Sequence, residues 1–215
     1  MANKSKTPPN PETGWGQVLP ALLTDAVRVE NHAMNGRSTK SFIDEGRWTK
    51  VMDALQPGDF VIIQFGHNDE KVGNPAVGTP ARGAYQDNLR RFVRETRAQG
   101  AEPILATPVA RRRWSATGEE VVDSHGDYPA AMRAVATEEK VPLLELTILT
   151  MELERAHGFE GSKRLHLFYA GGVYRRWPEA VKDNTHYSEY GAARVAALAV
   201  QEMLRLQLPL AAWVR

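Results

Sequence analysis

Cysteine is absent from all 215 residues. That excludes a disulfide framework, a thiol nucleophile and a thiolate zinc site. No apolar run approaches the roughly 20 residues that a membrane-spanning helix needs. An excess of charge is lacking too: 27 basic and 26 acidic residues leave a net charge of +1. A surface built to grip nucleic acid or an anionic membrane needs more than that. The opening stretch, Met1 to Glu12, is polar, contains Pro8, Pro9 and Pro11, and lacks the apolar segment of a signal peptide. As written, the sequence describes a cytoplasmic protein, with secretion left open if an upstream segment was lost. No glycine-rich phosphate loop or acidic metal cluster occurs, which argues against a nucleotide-binding protein. No repeat or linker divides the chain, so residues 1–215 read as one domain.

What the sequence does have is alternation. Gly14 to Leu23 is helical in pattern, with Trp15, Val18, Leu19 and Leu22 on one side. Val27 to Asn31 reads as a short strand. Ser41 to Leu55 carries helical pieces. Phe60 to Phe65 is a nearly unbroken apolar run, which suits a parallel strand covered on both faces. Tyr85 to Gln99 is an amphipathic helix closed by Gly100. Pro103–Ala106 and Val141–Leu146 read as further strands, and Tyr128–Lys140, Thr147–His157 and Ser188–Leu206 as helices. Leu165 to Asp183 reads as an irregular, aromatic-rich loop. Strands alternating with helices indicate an α/β protein with a mostly parallel sheet. In such sheets, working groups gather beyond the carboxyl ends of the strands.

Three short clusters lie where that rule directs attention. Gly66-His67-Asn68-Asp69 follows the strongest strand. Its glycine permits a sharp turn, and Asn68 carries an amide donor suited to an anionic intermediate. Asn35-Gly36-Arg37-Ser38 offers the Gly36 N–H as a second donor, while Ser38 suits a helix N-cap. Asp183-Asn184-Thr185-His186 precedes the last helix. An acid three residues before a histidine can hold one ring nitrogen while the other faces a substrate. Each cluster alone also fits a plain structural turn or cap.

Together the clusters resemble the SGNH (GDSL-type) hydrolase superfamily in order and spacing. Gly14-Trp15-Gly16-Gln17, Gly36-Arg37-Ser38-Thr39-Lys40-Ser41-Phe42, Glu45-Gly46-Arg47-Trp48, Thr107-Pro108-Val109 and His125-Gly126-Asp127-Tyr128-Pro129 look like its rhamnogalacturonan acetylesterase branch. The resemblance implies a flavodoxin-like three-layer α/β/α sandwich. It implies that His186 is the general base, Asp183 its orienting acid, and the Gly36 N–H and Asn68 side chain the oxyanion hole. It calls for no cofactor and no metal.

One departure stands against these matches. The family's nucleophile lies in a Gly-Asp-Ser motif at the end of the first strand, and this sequence contains no Gly-Asp-Ser. In this branch the motif continues as Thr-Met-Ala, and this chain begins Met1-Ala2-Asn3-Lys4. The expectation is a chain cut just after the serine and threonine, with its first, central strand missing and no nucleophile of its own. Ser5 and Ser38 are poor substitutes, one in a polar tail and one on the oxyanion side. The sheet is then expected to close the gap, to recruit a strand from another chain by strand exchange or homo-oligomer formation, or to be unstable.

Around the implied site the sequence is basic and aromatic: Arg112 and Trp114 after one strand, Arg176 and Trp177 before the Asp–His cluster, Tyr187 after it. Flat rings suit sugars and guanidinium forks suit carboxylates. The expected partner is an acetylated saccharide or small acetyl ester. The expected activity is removal of O-acetyl groups from pectic or related saccharides; the alternative is a catalytically impaired, saccharide-binding remnant of such an esterase.

Overall fold

The structure is a computed structural model that describes residues 1–7 and 9–215. In chain order its elements are α1 (Trp15–Val18), α2 (Thr39–Asp44), α3 (Arg47–Ala54), β1 (Phe60–Ile63), α4 (Ala84–Ala98), β2 (Glu102–Ala106), α5 (Tyr128–Glu138), β3 (Leu143–Leu144), α6 (Leu146–Gly161), β4 (His166–Tyr169), β5 (Val181–Tyr187) and α7 (Glu189–Arg205). Contacts divide the chain into two compact units. One comprises Met1–Asn35, Val109–Ser124 and Ile148–Arg215; the other comprises Gly36–Pro108 and His125–Thr147.

The second unit holds the parallel sheet, in the order β1-β2-β3, with Phe60 opposite Glu102, Ile63 opposite Leu105 and Ala106 opposite Leu144. Its core is organised by α4. Tyr85, Leu89, Phe92, Val93 and Thr96 recur at helical spacing and are all buried, which puts one apolar stripe against Ile63 and Leu105. Each large apolar side chain so buried contributes about 1.5–3 kcal/mol. Trp48 and Phe65 pack on Phe92 with ring centres 4.5 and 5.5 Å away. On the exposed side, Arg90 pairs with Glu138 of α5 and Arg94 with Glu139 just after it, at 2.8 and 2.6 Å. Gly100 ends α4 at φ 73°, a left-handed turn that a side chain would strain and that brings the backbone against Pro57.

The first unit is built around α7, whose Ala192, Val195, Ala196, Ala199 and Met203 are wholly buried. Trp15 of α1 is buried in the same unit. Here β4 and β5 form an antiparallel hairpin with an irregular register between His166 and Leu167.

The α/β class and the parallel sheet agree with the sequence. Several elements differ. Val27–Asn31 is not a strand. Its side chains do alternate between half-buried and exposed, but a strand exists only through a partner ladder, and among the described residues none pairs with it. The run Phe60–Phe65 gives a strand only as far as Ile63, and Phe60, Val61 and Ile62 are half-buried rather than covered on both faces. The reason is that β1 ends the sheet: among the described residues no strand pairs with its other side. The strand at Val141–Leu146 shrinks to Leu143–Leu144, because α6 begins at Leu146. Thr147–His157 extends to Gly161 across a kink at Gly158, φ 72°. The stretch Leu165–Asp183 contains all of β4 and the start of β5 rather than an irregular loop.

Candidate active site

His186 and Asp183 lie on β5, just before α7. Ser188 fixes the junction by capping α7, accepting the Gly191 N–H at 3.1 Å and donating its hydroxyl to the Arg164 carbonyl at 2.7 Å. Upstream, Asp183 wraps the turn around itself. Its Oδ1 accepts the backbone N–H groups of Thr185 and His186 at 2.7 and 3.0 Å, and its Oδ2 accepts Nδ1–H of His186 at 2.7 Å. Partial burial works against ionisation of Asp183. The hydrogen bonds from the His186 ring and from the two backbone N–H groups outweigh it, and they hold the carboxyl well below the usual carboxylate range. A carboxylate fixed on Nδ1 orients the ring and leaves Nε2 for proton transfer. The His186 side chain is about half exposed, and Nε2 lies 3.8 Å from Oε1 of Glu12. Glu12 is buried and pairs with Lys4, and its other oxygen lies 4.0 Å from Arg176.

The oxyanion candidates belong to the other unit. Gly66 turns the chain after β1 at φ 142°, and a side chain there would press on Pro108, with 3.0 Å from Cβ to Cγ. Asn68 follows, half-buried. Its amide N–H donates to the Arg37 carbonyl at 3.2 Å and its Oδ1 accepts from Lys71 at 2.7 Å. Gly36 is exposed at φ 76°. One residue ties the two segments together. Asp69 is fully buried, and its Oδ1 accepts the Thr39 N–H, the Thr39 hydroxyl and the Thr79 hydroxyl at 3.0, 2.6 and 2.8 Å. Thr39 opens α2 directly after the Gly36–Ser38 loop. Asp69 therefore anchors that loop to the turn carrying Asn68. Ser38 is buried and caps α2, accepting the Ser41 N–H at 3.1 Å.

The expected rim residues have varied places. Arg176 is exposed and lies against the ring of Trp177, which stacks parallel to Tyr169 at 6.2 Å. Trp114 is half-buried, edge-on to Phe159. Tyr187 is buried and donates its hydroxyl to the Ala110 carbonyl at 2.9 Å. Its burial, and then the nearby Glu154 carboxylate, push the phenol upward. Arg112 is buried between the rings of Phe159 and Phe168. Its guanidinium donates to Ser162 at 3.0 Å, to Asn184 Oδ1 at 3.2 Å and to the Phe159 carbonyl, while its backbone N–H donates to the Asn184 carbonyl at 2.8 Å. Those donors brace the segment between Asp183 and His186 and are spent on the protein itself.

Sequence reading missed several polar groups. Glu12 gives no local signal, because its neighbours arrive from distant segments. The same holds for the Glu154–His166 pair behind β5. His125, present in the sequence reading only within the His125–Pro129 motif, is buried with Nδ1 2.9 Å from Glu70 and its ring 4.5 Å from that of His67. Among the described residues no cluster of three or more acidic or histidine side chains could hold a metal ion, and no helix is long and apolar enough to cross a membrane.

An α/β chain that holds a histidine on a carboxylate, and sets an amide-bearing turn beyond a parallel strand, has the parts of an ester hydrolase. Comparison with known proteins narrows that class. The sequence pattern of the GDSL-like lipase/acylhydrolase family matches residues 2–194, and the chain belongs to that family. It is 40% identical over 208 residues to rhamnogalacturonan acetylesterase RhgT of Bacillus subtilis, covering 96% of this chain and 88% of that one. It is 34% identical to the probable rhamnogalacturonan acetylesterase YesY of the same organism, covering 92% and 86%. Among solved structures, the Bacillus subtilis protein YxiM superimposes with a TM-score of 0.77 at 27% identity, over 93% of this chain and 52% of that one. The acetylxylan esterase Axe2 of Geobacillus stearothermophilus shares the fold, with a TM-score of 0.64 at 18% identity over 89% and 81%.

Proposed function

We propose that this chain is a carbohydrate esterase that removes O-acetyl groups from rhamnogalacturonan-type or related saccharides. The observation that carries the reading is the Asp183–His186 contact at 2.7 Å, in a chain whose relatives include named rhamnogalacturonan acetylesterases. His186 is the general base, and it accepts the nucleophile's proton at Nε2. Asp183 orients the ring through Nδ1–H and stabilises the imidazolium that forms. The Gly36 N–H and the Asn68 amide donate to the oxyanion as the acetyl carbonyl becomes tetrahedral. Arg176 and Trp177 supply a cation and a flat face to an acidic sugar. The nucleophile of this mechanism is a serine in Gly-Asp-Ser, which this sequence does not contain.

The second reading is a saccharide-binding protein with little turnover. A triad without its serine retains about 10³–10⁴-fold acceleration over water from the oxyanion hole and binding. The test is acetate release from acetylated pectic oligosaccharide, acetylated xylan and 4-nitrophenyl acetate. The chain as it stands is compared with a form extended upstream by a strand ending in Gly-Asp-Ser-Thr. The extended form is expected to be far faster, to prefer the pectic ester and to lose most turnover on His186→Ala. Equal rates in both forms that survive His186→Ala would overturn the base assignment. Saccharide binding without turnover in either form would favour the second reading.

A further inference from the structure

Behind β5 lies a titratable pair that the proposed reaction does not use. His166 and Glu154 have no exposed side-chain surface, and Nε2 of His166 stands 2.6 Å from Oε1 of Glu154. The other ring nitrogen, Nδ1, stands 3.2 Å from the backbone carbonyl oxygen of His186. The His166 ring stacks on Tyr187, the next residue along, at 4.7 Å. The remaining Glu154 oxygen, Oε2, is buried with no hydrogen-bond partner among the described residues. The groups facing the pair are Tyr187 and the His186 carbonyl from β5 and the Arg112 guanidinium, which lies close enough to feel the charge of Glu154.

Donor and acceptor chemistry fixes the protons. A carbonyl oxygen only accepts, so Nδ1 carries a hydrogen. At 2.6 Å, Nε2 and Oε1 then require one proton between them, either on the ring beside a carboxylate or on the acid beside a neutral ring. Both arrangements have the same net charge. Losing that proton would set a ring lone pair against a carboxylate where no water reaches, and a buried, unpaired charge is costly. Sharing the proton also lessens the cost of the partnerless Oε2.

We infer that Glu154 and His166 are positioning residues for the candidate base: Glu154 locks the His166 ring in its Nδ1–H form, and that N–H holds the backbone of His186, keeping its ring in register with Asp183. The inference rests on the reading of His186 as the base, but its consequences are spectroscopic and do not need turnover.

The experiment is NMR of the chain with labelled histidine and aspartate, recorded across the range in which an exposed histidine titrates, about pH 5 to 8, and to lower pH for Asp183. In the parent protein, Nδ1 of His166 is expected to stay protonated and slow to exchange throughout. In His166→Phe, which keeps the stacking on Tyr187 but removes the donor, the Nδ1–H signal of His186 is expected to be lost to exchange. The Asp183 carboxyl should then rise by about one unit or more toward its ordinary range. Glu154→Gln should rescue: its amide N–H donates to Nε2 and still enforces the Nδ1–H form, so the His186 and Asp183 signals should match the parent. A His166 ring that lacks a hydrogen on Nδ1 overturns the inference. So does a folded His166→Phe with unchanged Asp183 and His186 signals, or a folded Glu154→Gln that behaves like His166→Phe. If His166→Phe does not fold, the parent spectrum and Glu154→Gln decide. Failure of the base assignment is seen separately, as esterase turnover that survives His186→Ala.

Discussion

Asp69→Ala should loosen the anchor between the Gly36–Ser38 loop and the Asn68 turn, and the structure sets the size of the effect. Three donors end on Oδ1 of Asp69. The Thr39 N–H at the start of α2 cannot turn elsewhere, and a stranded buried donor costs about 1–3 kcal/mol. The hydroxyls of Thr39 and Thr79 can rotate, and losing such a bond costs about 0.5–1.5 kcal/mol each. Thr39 Oγ1 also keeps the Asn88 amide, which donates to it at 3.0 Å. The expected loss is about 2–6 kcal/mol, against a total of about 5–15 kcal/mol for a folded domain. Urea unfolding of parent, Asp69→Ala and Asp69→Asn measures it. The pH dependence provides an independent check. Burial raises the Asp69 carboxyl above its ordinary range, with the hydrogen bonds from Thr39 and Thr79 opposing. For an acid raised in the folded state, the contribution to stability is complete below the unfolded value near 4 and is lost as pH rises through the folded value. Asp69→Asn cannot ionise and should lack that decline. A loss below about 0.5 kcal/mol in Asp69→Ala, or the same decline in Asp69→Asn as in the parent, would refute the reasoning.

The other predictions are simpler. Asp183 has the opposite sign: its carboxyl is depressed in the folded state, so its stabilisation is present above about 4 and is lost as pH falls through the folded value. Acid unfolding of Asp183→Asn should therefore show a shallower pH dependence than the parent. Arg112→Ala leaves the Asn184 and Ser162 side chains and the Phe159 carbonyl without its donors, and should lower stability by about 3 kcal/mol in thermal or denaturant unfolding. Arg112→Lys should recover only part, because an ammonium lacks the planar fork. Gly66→Ala and Gly36→Ala separate backbone strain from crowding. Both positions have positive φ, but only at Gly66 does an added Cβ meet a neighbour, Pro108, so Gly66→Ala should be the more destabilising of the two in the same unfolding assay.

The parts of this fold that are legible in the sequence are those whose cause is local. The stripe of α4, its stop at Gly100 and the Ser38 cap follow from residues a few positions apart. So does the Asp183–His186 contact, since three residues of spacing on a bent strand end suffice to close it. Val27–Asn31 is the opposite case. Its alternation is real, but strand formation depends on a partner that no local pattern announces. β4 hides for a similar reason: His166–Tyr169 becomes a strand because β5, more than ten residues later, folds back on it. The polar contacts that brace the site are the least legible. Nothing beside Arg112 in the sequence says that Phe159, Ser162, Phe168 and Asn184 will close around it, and nothing beside His166 names Glu154. Burial of a charged group is decided by what folding brings to it.

That β1 ends its sheet bears on how the protein reaches its native state. Among the described residues β2 alone pairs with β1, and Phe60 must find Glu102 across the intervening segment. Closing that loop costs chain entropy before any pairing repays it. The helix between them, α4, shortens the search: its Leu89 and Phe92 are in the cluster that also takes in Ile63 of β1 and Leu105 of β2. The expected rate-limiting step of folding is then the docking of α4 onto the two strands it packs against. Truncation of Leu89 or Phe92 should slow folding, whereas Leu143→Ala in the two-residue β3 should chiefly speed unfolding, a division that stopped-flow measurement of both limbs would reveal.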